Sequence, residues 1–174
     1  QKYKFAYIDK VKVPAFRGIE AYMGSTVHDT LEDLYKRLLM TKAPVLDEIL
    51  GKYHELWKKE WGDDIVVVNK EFTPDDYLRK GEKCVRDYYE ARHPFEKEPR
   101  TLGLEEYIAF SLDGEYKMRG YIDRLAERKD GVVEIHDYKT SRRLPSPSDI
   151  DADRQLALYQ IGVEQRLEGV REVD

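Results

Sequence analysis

"GYIDRLAERKDGVVEIHDYKTSRR", residues 120–143, reads as two strands joined by a tight turn at Asp130-Gly131. Its charges stand where strands normally carry core residues. Asp123 interrupts the first strand, and Asp137 and Lys139 flank Tyr138 at the end of the second, read as "VVEIHDYKT". A turn centred on Asp130-Gly131 sets Asp137 opposite a position near Arg124, with Asp123 in diagonal reach. Two carboxylates brought together repel unless a cation lies between them. Hard oxygen ligands of this kind suit Mg²⁺ or Mn²⁺. Asp137 and Lys139 are two residues apart, so their side chains share one strand face. Lys139 can then orient or deprotonate a water, or stabilise negative charge developing on a phosphoryl oxygen. A metal, a lysine and a water at one point are the parts of phosphodiester hydrolysis. Alone, D-x-K is too short to be specific, because a solvent-facing strand of mixed charge looks the same. Glu134, the third acid, alternates off the face of Asp137 and reads as a solvent-facing or sheet-edge charge.

Upstream, "LGLEEYIAFSL" has the period of a strand, and Asp113-Gly114 marks a hairpin turn into "YKMRGYIDRLAER". The three strands form an antiparallel meander. Downstream, "SDIDADRQLALYQIGVEQRLEG" reads as a helix capped by Ser148, with Asp149 and Asp151 in its first turn and Gly169 past its end. "VREVD" then begins a strand that would return beside the sheet. The first hundred residues are mainly helical. "GSTVHDTLEDLYKRLLM" reads as a helix over 24–40 with Ser25 or Thr26 at its N-cap, which puts His28 in the first turn. A second helix follows Pro44 and runs to Gly62. A third starts at Pro74 behind a Thr73 cap and buries Tyr77, Gly81, Cys84, Val85 and Tyr88. The expected fold class is α/β: a mixed sheet of three antiparallel strands plus a returning strand, flanked by helices.

A length of 174 residues is most simply one domain, with residues 1–100 mainly helical and 101–174 an αβ core. The start "QKYKFAYIDK" and the end "GVREVD" read as trimmed at both ends. Hydrophobic content of 41% excludes a mostly disordered chain. Thirty Lys and Arg against thirty-five Asp and Glu leave a net charge of −5, so nucleic-acid binding requires a local basic patch. Lys2, Lys4, Lys10 and Lys12 offer one. Arg142 and Arg143 beside Lys139 form a candidate phosphate clamp. No apolar run approaches the ~18 residues of a membrane span. The single cysteine, Cys84, excludes an internal disulfide and makes a reducing, cytoplasmic setting the expectation. Trp57 and Trp61, four apart on one helix, read as core packing before base stacking.

Four spaced motifs, taken in order, carry more than any one of them: G-x-x-x-H ending at His28, G-x-x-D ending at Asp123, D-Y-K-T starting at Asp137, and Q-L-x-L-Y from Gln155 to Tyr159. Together they resemble the RecB-like branch of the PD-(D/E)XK nuclease superfamily, over nearly the whole chain from Tyr7. The resemblance implies a restriction-endonuclease-like core and a metal-dependent deoxyribonuclease, of exonuclease type on single-stranded or free-ended DNA, in repair, recombination or CRISPR-type processing. It implies His28, Asp123, Asp137 and the Tyr138 carbonyl as ligands of Mg²⁺ or Mn²⁺, and Lys139 as the catalytic lysine. It also implies Gln155 and Tyr159 as DNA-contacting support, and Glu105 or Glu106 as an accessory acid. Many members of the branch carry four cysteines that hold an iron–sulfur cluster, which one cysteine cannot supply within this chain. The expected partners are DNA and a helicase or other DNA-processing subunit. A non-catalytic nucleic-acid-binding or scaffold role is the alternative, since nuclease folds are reused in this way.

Overall fold

The computed structural model of the chain describes residues 16–95, 99–112, 114–140 and 153–166. The elements run β1 (Arg17–Gly18), α1 (Ile19–Met40), α2 (Leu46–Glu60), β2 (Ile65–Val66), α3 (Pro74–Arg92), β3 (Arg100–Leu112), β4 (Tyr116–Glu127), β5 (Val133–His136) and α4 (Arg154–Arg166). β3, β4 and β5 form the antiparallel meander, in that spatial order. The helical first half also holds a short parallel pair, β1 with β2, that its composition did not announce. This mixed α/β architecture is consistent with a restriction-endonuclease-like fold. The expected returning strand, the Ser148 cap, Arg142, Arg143 and the lysines of residues 1–15 lie outside the described residues. No described helix is long and apolar enough to cross a membrane.

Three helices build the first core. Leu31 and Leu34 of α1, Ile49 and Tyr53 of α2 and Val85 of α3 belong to one buried cluster. α3 follows the local rules closely. The Thr73 hydroxyl accepts the Asp76 amide, and the Asp76 carboxylate accepts the Thr73 amide at 2.7 Å. Its buried stripe is Tyr77, Gly81, Val85 and Tyr89, with Cys84 and Tyr88 half-buried beside it. Trp57 is buried, and Trp61 stacks on it while remaining 40% exposed.

Two helix starts differ from the sequence reading. α1 begins at Ile19, so Ser25 and Thr26 are interior and His28 stands in its third turn. The Thr26 hydroxyl donates back to the Tyr22 carbonyl at 2.9 Å, so it serves the helix from inside instead of capping it. α4 begins at Arg154, where the Asp153 carboxylate accepts the amides of Gln155 at 2.8 Å and Leu156 at 3.3 Å. Asp153 caps two of the donors that the first turn leaves open.

The second core lies under α4. Ile108 and Phe110 of β3, Ile122 of β4 and Val163 of α4 are buried together. Close approach is possible because both surfaces offer glycine. A Cβ on Gly162 would stand 2.7 Å from the Phe110 ring, and one on Gly120 would stand 2.8 Å from the Tyr159 ring. On β3 and β4, residues 106, 108, 110, 118, 120 and 122 are buried or partly so, while 105, 107, 109, 111, 117, 119 and 121 are exposed. That alternation marks a sheet with one face covered and one open.

Arg124 is the charged residue at the centre. It is 0% exposed, its guanidinium lies 3.9 Å from the Tyr35 ring centroid, and it donates to Thr101 Oγ1 at 3.0 Å and to the Pro99 carbonyl at 2.9 Å. It ties α1 to the start of β3. Replacing it with the shorter, uncharged methionine strands those acceptors in a low-dielectric interior. Arg124→Met is expected to destabilise the protein by about 2–4 kcal/mol. The check is the urea midpoint, which should fall with no change in the slope of the transition.

Candidate metal and phosphodiester site

The β3–β4 and β4–β5 ladders converge on one row of carboxylates. Leu104 pairs with Arg124 and Glu106 with Ile122, so Glu105 lies opposite Asp123. On the other side Arg124 pairs with His136, so the next residue, Asp137, also falls opposite Asp123. The sequence reading had set Asp137 near Arg124. The register is shifted by one residue because the loop holds three residues, 129–131, with Gly131 at φ 86°, and closes on Arg128 and Val132. Glu105 and Asp123 therefore stand opposite each other on β3 and β4, and Asp137 follows directly after the last paired residue of β5.

β5 also ends earlier than its apolar pattern implied. The ladder stops at His136, and Asp137–Thr140 continue without strand pairing. The reason is local. The Tyr138 amide donates to Asp123 Oδ2 at 2.6 Å. A side chain on β4 has taken the donor that the backbone ladder would have used. That bond aims Asp123 and fixes the chain on which Asp137 and Lys139 sit.

α1 supplies the histidine. His28 Nδ1 lies 3.1 Å from Asp123 Oδ1, and its ring meets Tyr138 edge-on at 5.8 Å. One ligand atom from each of His28, Glu105 and Asp123 falls within 4.8 Å of the others. An imidazole nitrogen with two carboxylates is a donor set that suits a divalent cation. The electrostatics fit the same ion. Burial pushes the Glu105 carboxyl above its usual value, and the nearby Asp123 charge adds to this. Burial pulls His28 down, but the hydrogen bond and charge of Asp123 outweigh it and leave His28 raised. A cation held there would favour the deprotonated form of both groups.

Asp137 stands apart from that cluster and is held by α4 and by its own strand. Lys139 Nζ lies 2.5 Å from Asp137 Oδ2. The lysine also donates to Gln155 Oε1 at 3.3 Å, and Gln155 Nε2 donates to Asp137 Oδ1 at 3.4 Å and to Tyr159 Oη at 2.8 Å. Burial lowers the Lys139 pKa, yet the bond and charge of Asp137 more than offset this, so Lys139 remains an ammonium. All seven of the described candidates, His28, Asp123, Asp137, Tyr138, Lys139, Gln155 and Tyr159, come together here.

Of the two glutamates the sequence left open, the geometry selects Glu105. Glu106 points the other way and pairs with Arg166 of α4 at 2.5 Å. Counting back from Asp113-Gly114 as a two-residue turn would have set Glu105 opposite Ile122; the closing pair, Leu112 with Tyr116, shifts the register by one and brings Glu105 opposite Asp123. Glu105 also adopts φ 46°, a left-handed conformation that is costly for a side-chain-bearing residue. Glu134, as expected, stands off the row, 3.1 Å from His136 Nε2. Beside the site a groove of about 410 Å³ runs along residues 135–140, lined on its far side by Cys84, Tyr88 and Arg92 of α3.

The model of the PD-(D/E)XK nuclease superfamily matches residues 1–173. The chain belongs to the PD-(D/E)XK nuclease superfamily. Among curated proteins, comparison of the sequence finds no significant match. Members of the superfamily generally use divalent metals, and the cluster of His28, Glu105 and Asp123 is where this nuclease-family chain offers ligands.

Because a proton must leave His28 before its nitrogen can bind an ion, Mn²⁺ affinity should strengthen as pH rises from about 6 to 8. The raised value of His28 moves that gain above the ordinary histidine range, and Glu105 acts in the same direction from a lower starting point. Calorimetric titration of wild type and His28→Gln checks this. A wild-type affinity that ignores pH would remove His28 from the ligand set.

Proposed function

We propose that the protein is a Mg²⁺- or Mn²⁺-dependent deoxyribonuclease of the RecB-like branch that hydrolyses phosphodiester bonds in DNA, acting as an exonuclease on single-stranded or free-ended substrates. The observation that carries the reading is the His28–Glu105–Asp123 cluster, joined through the Tyr138 amide to the segment on which the Lys139 ammonium pairs with Asp137. His28, Glu105 and Asp123 would hold the cation, with Asp137 and the Tyr138 carbonyl completing its shell from the adjoining chain. When bound, the ion would acidify a coordinated water and neutralise charge on the scissile phosphate.

The residues of the chain have distinct tasks around it. Lys139 keeps its proton beside Asp137, so it serves as a fixed positive charge for a phosphoryl oxygen and not as the base. Gln155 bonds both members of that pair and is itself held by Tyr159, so α4 sets the position of the charge. The Asp123 carboxylate receives the Tyr138 amide, which aims its other oxygen at His28 and Glu105. Arg142 and Arg143 follow Lys139 in the sequence and suit a phosphate clamp. The work fits DNA processing beside a helicase or similar subunit, in repair, recombination or CRISPR-type pathways, in a cytoplasmic setting.

Purified protein with Mn²⁺ should degrade single-stranded DNA, and a chelator should stop it. Asp137→Ala should abolish cleavage. Lys139→Met, which removes the charge and keeps most of the length, should lower kcat by about 10²–10³ with a smaller effect on KM. Undiminished cleavage by a clean Asp137→Ala sample would sink the assignment.

A further inference from the structure

The open face of the β3–β4 hairpin carries a feature that the hydrolytic site does not use. Tyr107 and Tyr121 are directly paired across the two strands, with ring centroids 5.3 Å apart. They remain 49% and 59% exposed. Two large rings left side by side in water cost solvation that a closed sheet would recover, and exposed aromatic patches of this kind mark contact surfaces.

Their position gives the patch its meaning. Side chains two apart along a strand share a face. Tyr107 therefore lies one step from Glu105, and Tyr121 one step from Asp123. In the other direction β4 presents Arg119 and then Lys117 on the same exposed face, and among the described residues neither forms an ion pair. From Lys117 to Asp123 the strand spans about 20 Å. Along it run two cations, two rings and the carboxylate cluster.

We propose that this face is a binding track for single-stranded nucleic acid. Bases stack on Tyr107 and Tyr121, and Arg119 and Lys117 meet the backbone phosphates leading into the carboxylate row. Aromatic rings flanked by cations are how proteins hold unpaired strands without reading sequence. A duplex keeps its bases stacked on each other and cannot use the rings, so the track selects single strands or frayed ends. A protein partner would find two adjacent unpaired cations beside the rings, and an acidic cluster next to them, a poor match for an apolar contact. The inference rests on the nuclease reading for the destination of the strand, but its binding step is separate.

The test uses fluorescence anisotropy with a labelled 12-nucleotide single strand and the matching duplex, on an Asp137→Ala background with Mn²⁺ present. The parent should prefer the single strand. Adding Tyr107→Ala and Tyr121→Ala should weaken single-strand binding ten-fold or more and leave duplex binding within about two-fold, as the stacking free energy of one or two bases implies. Tyr107→Phe with Tyr121→Phe should restore it, because the ring and not the hydroxyl stacks. Arg119→Gln should lower the slope of log affinity against log salt by about one, and it carries the test alone if the double variant fails to fold. Equal affinity of the parent and the double alanine variant, or an Arg119→Gln slope unchanged where that variant decides, overturns the track. Asp137-dependent cleavage with unaltered binding by the alanine variants sinks the track and leaves the nuclease. Tyrosine-dependent binding with no cleavage by the wild-type chain does the reverse.

Discussion

One hydrogen bond organises the centre of this molecule: the Tyr138 amide donating to the Asp123 carboxylate. It ends the β4–β5 ladder at His136 and hands the chain from sheet to site. A buried carboxylate needs donors, and a backbone amide at a strand end needs an acceptor. Each solves the other's problem. The same bond leaves the second oxygen of Asp123 facing His28 and Glu105, while Asp137 and Lys139 project from the chain just released. If this contact were lost, the row of carboxylates would lose its middle member and its register together.

The surroundings hold that contact from two sides. α1 brings His28 against Asp123 and, two turns later, brings Tyr35 over the Arg124 guanidinium. α4 reaches the opposite face of the hairpin through paired glycines and delivers Gln155 and Tyr159 to Lys139. The chemistry is split accordingly. Carboxylates and histidine form one half, where an ion would stand. Lys139 and its α4 supports form the other half, where a positive charge stands without one. The open face of the hairpin continues the first half outward through Tyr107 and Tyr121.

Much of this was legible in advance wherever a rule is local. The Thr73–Asp76 cap and Pro74 placed α3, and the two glycine turns placed the meander. The seven described candidate residues were named by the family resemblance that four ordered motifs carry, and the structure places them side by side. The errors came where distant contacts decide. α1 starts five residues early because Ile19, Tyr22 and Met23 are buried against other helices, which favours helix over any cap at Ser25 or Thr26. β5 stops early because a side chain from another strand captures the amide of Tyr138. Glu105 and Glu106 are indistinguishable as letters, and only the register separates a carboxylate at the site from one paired to Arg166.

The sequence by itself determined the class of fold, the residue types available for hydrolysis and their order along the chain. Periodicity, turn residues and caps act over a few positions, and those positions are written side by side. The tertiary structure decided which of the acids stand together and which face of the hairpin stays open. Those depend on register across strands and on burial beneath helices, where distances of 3 Å join residues up to 95 positions apart. A carboxylate's partner, not its spacing, sets its role.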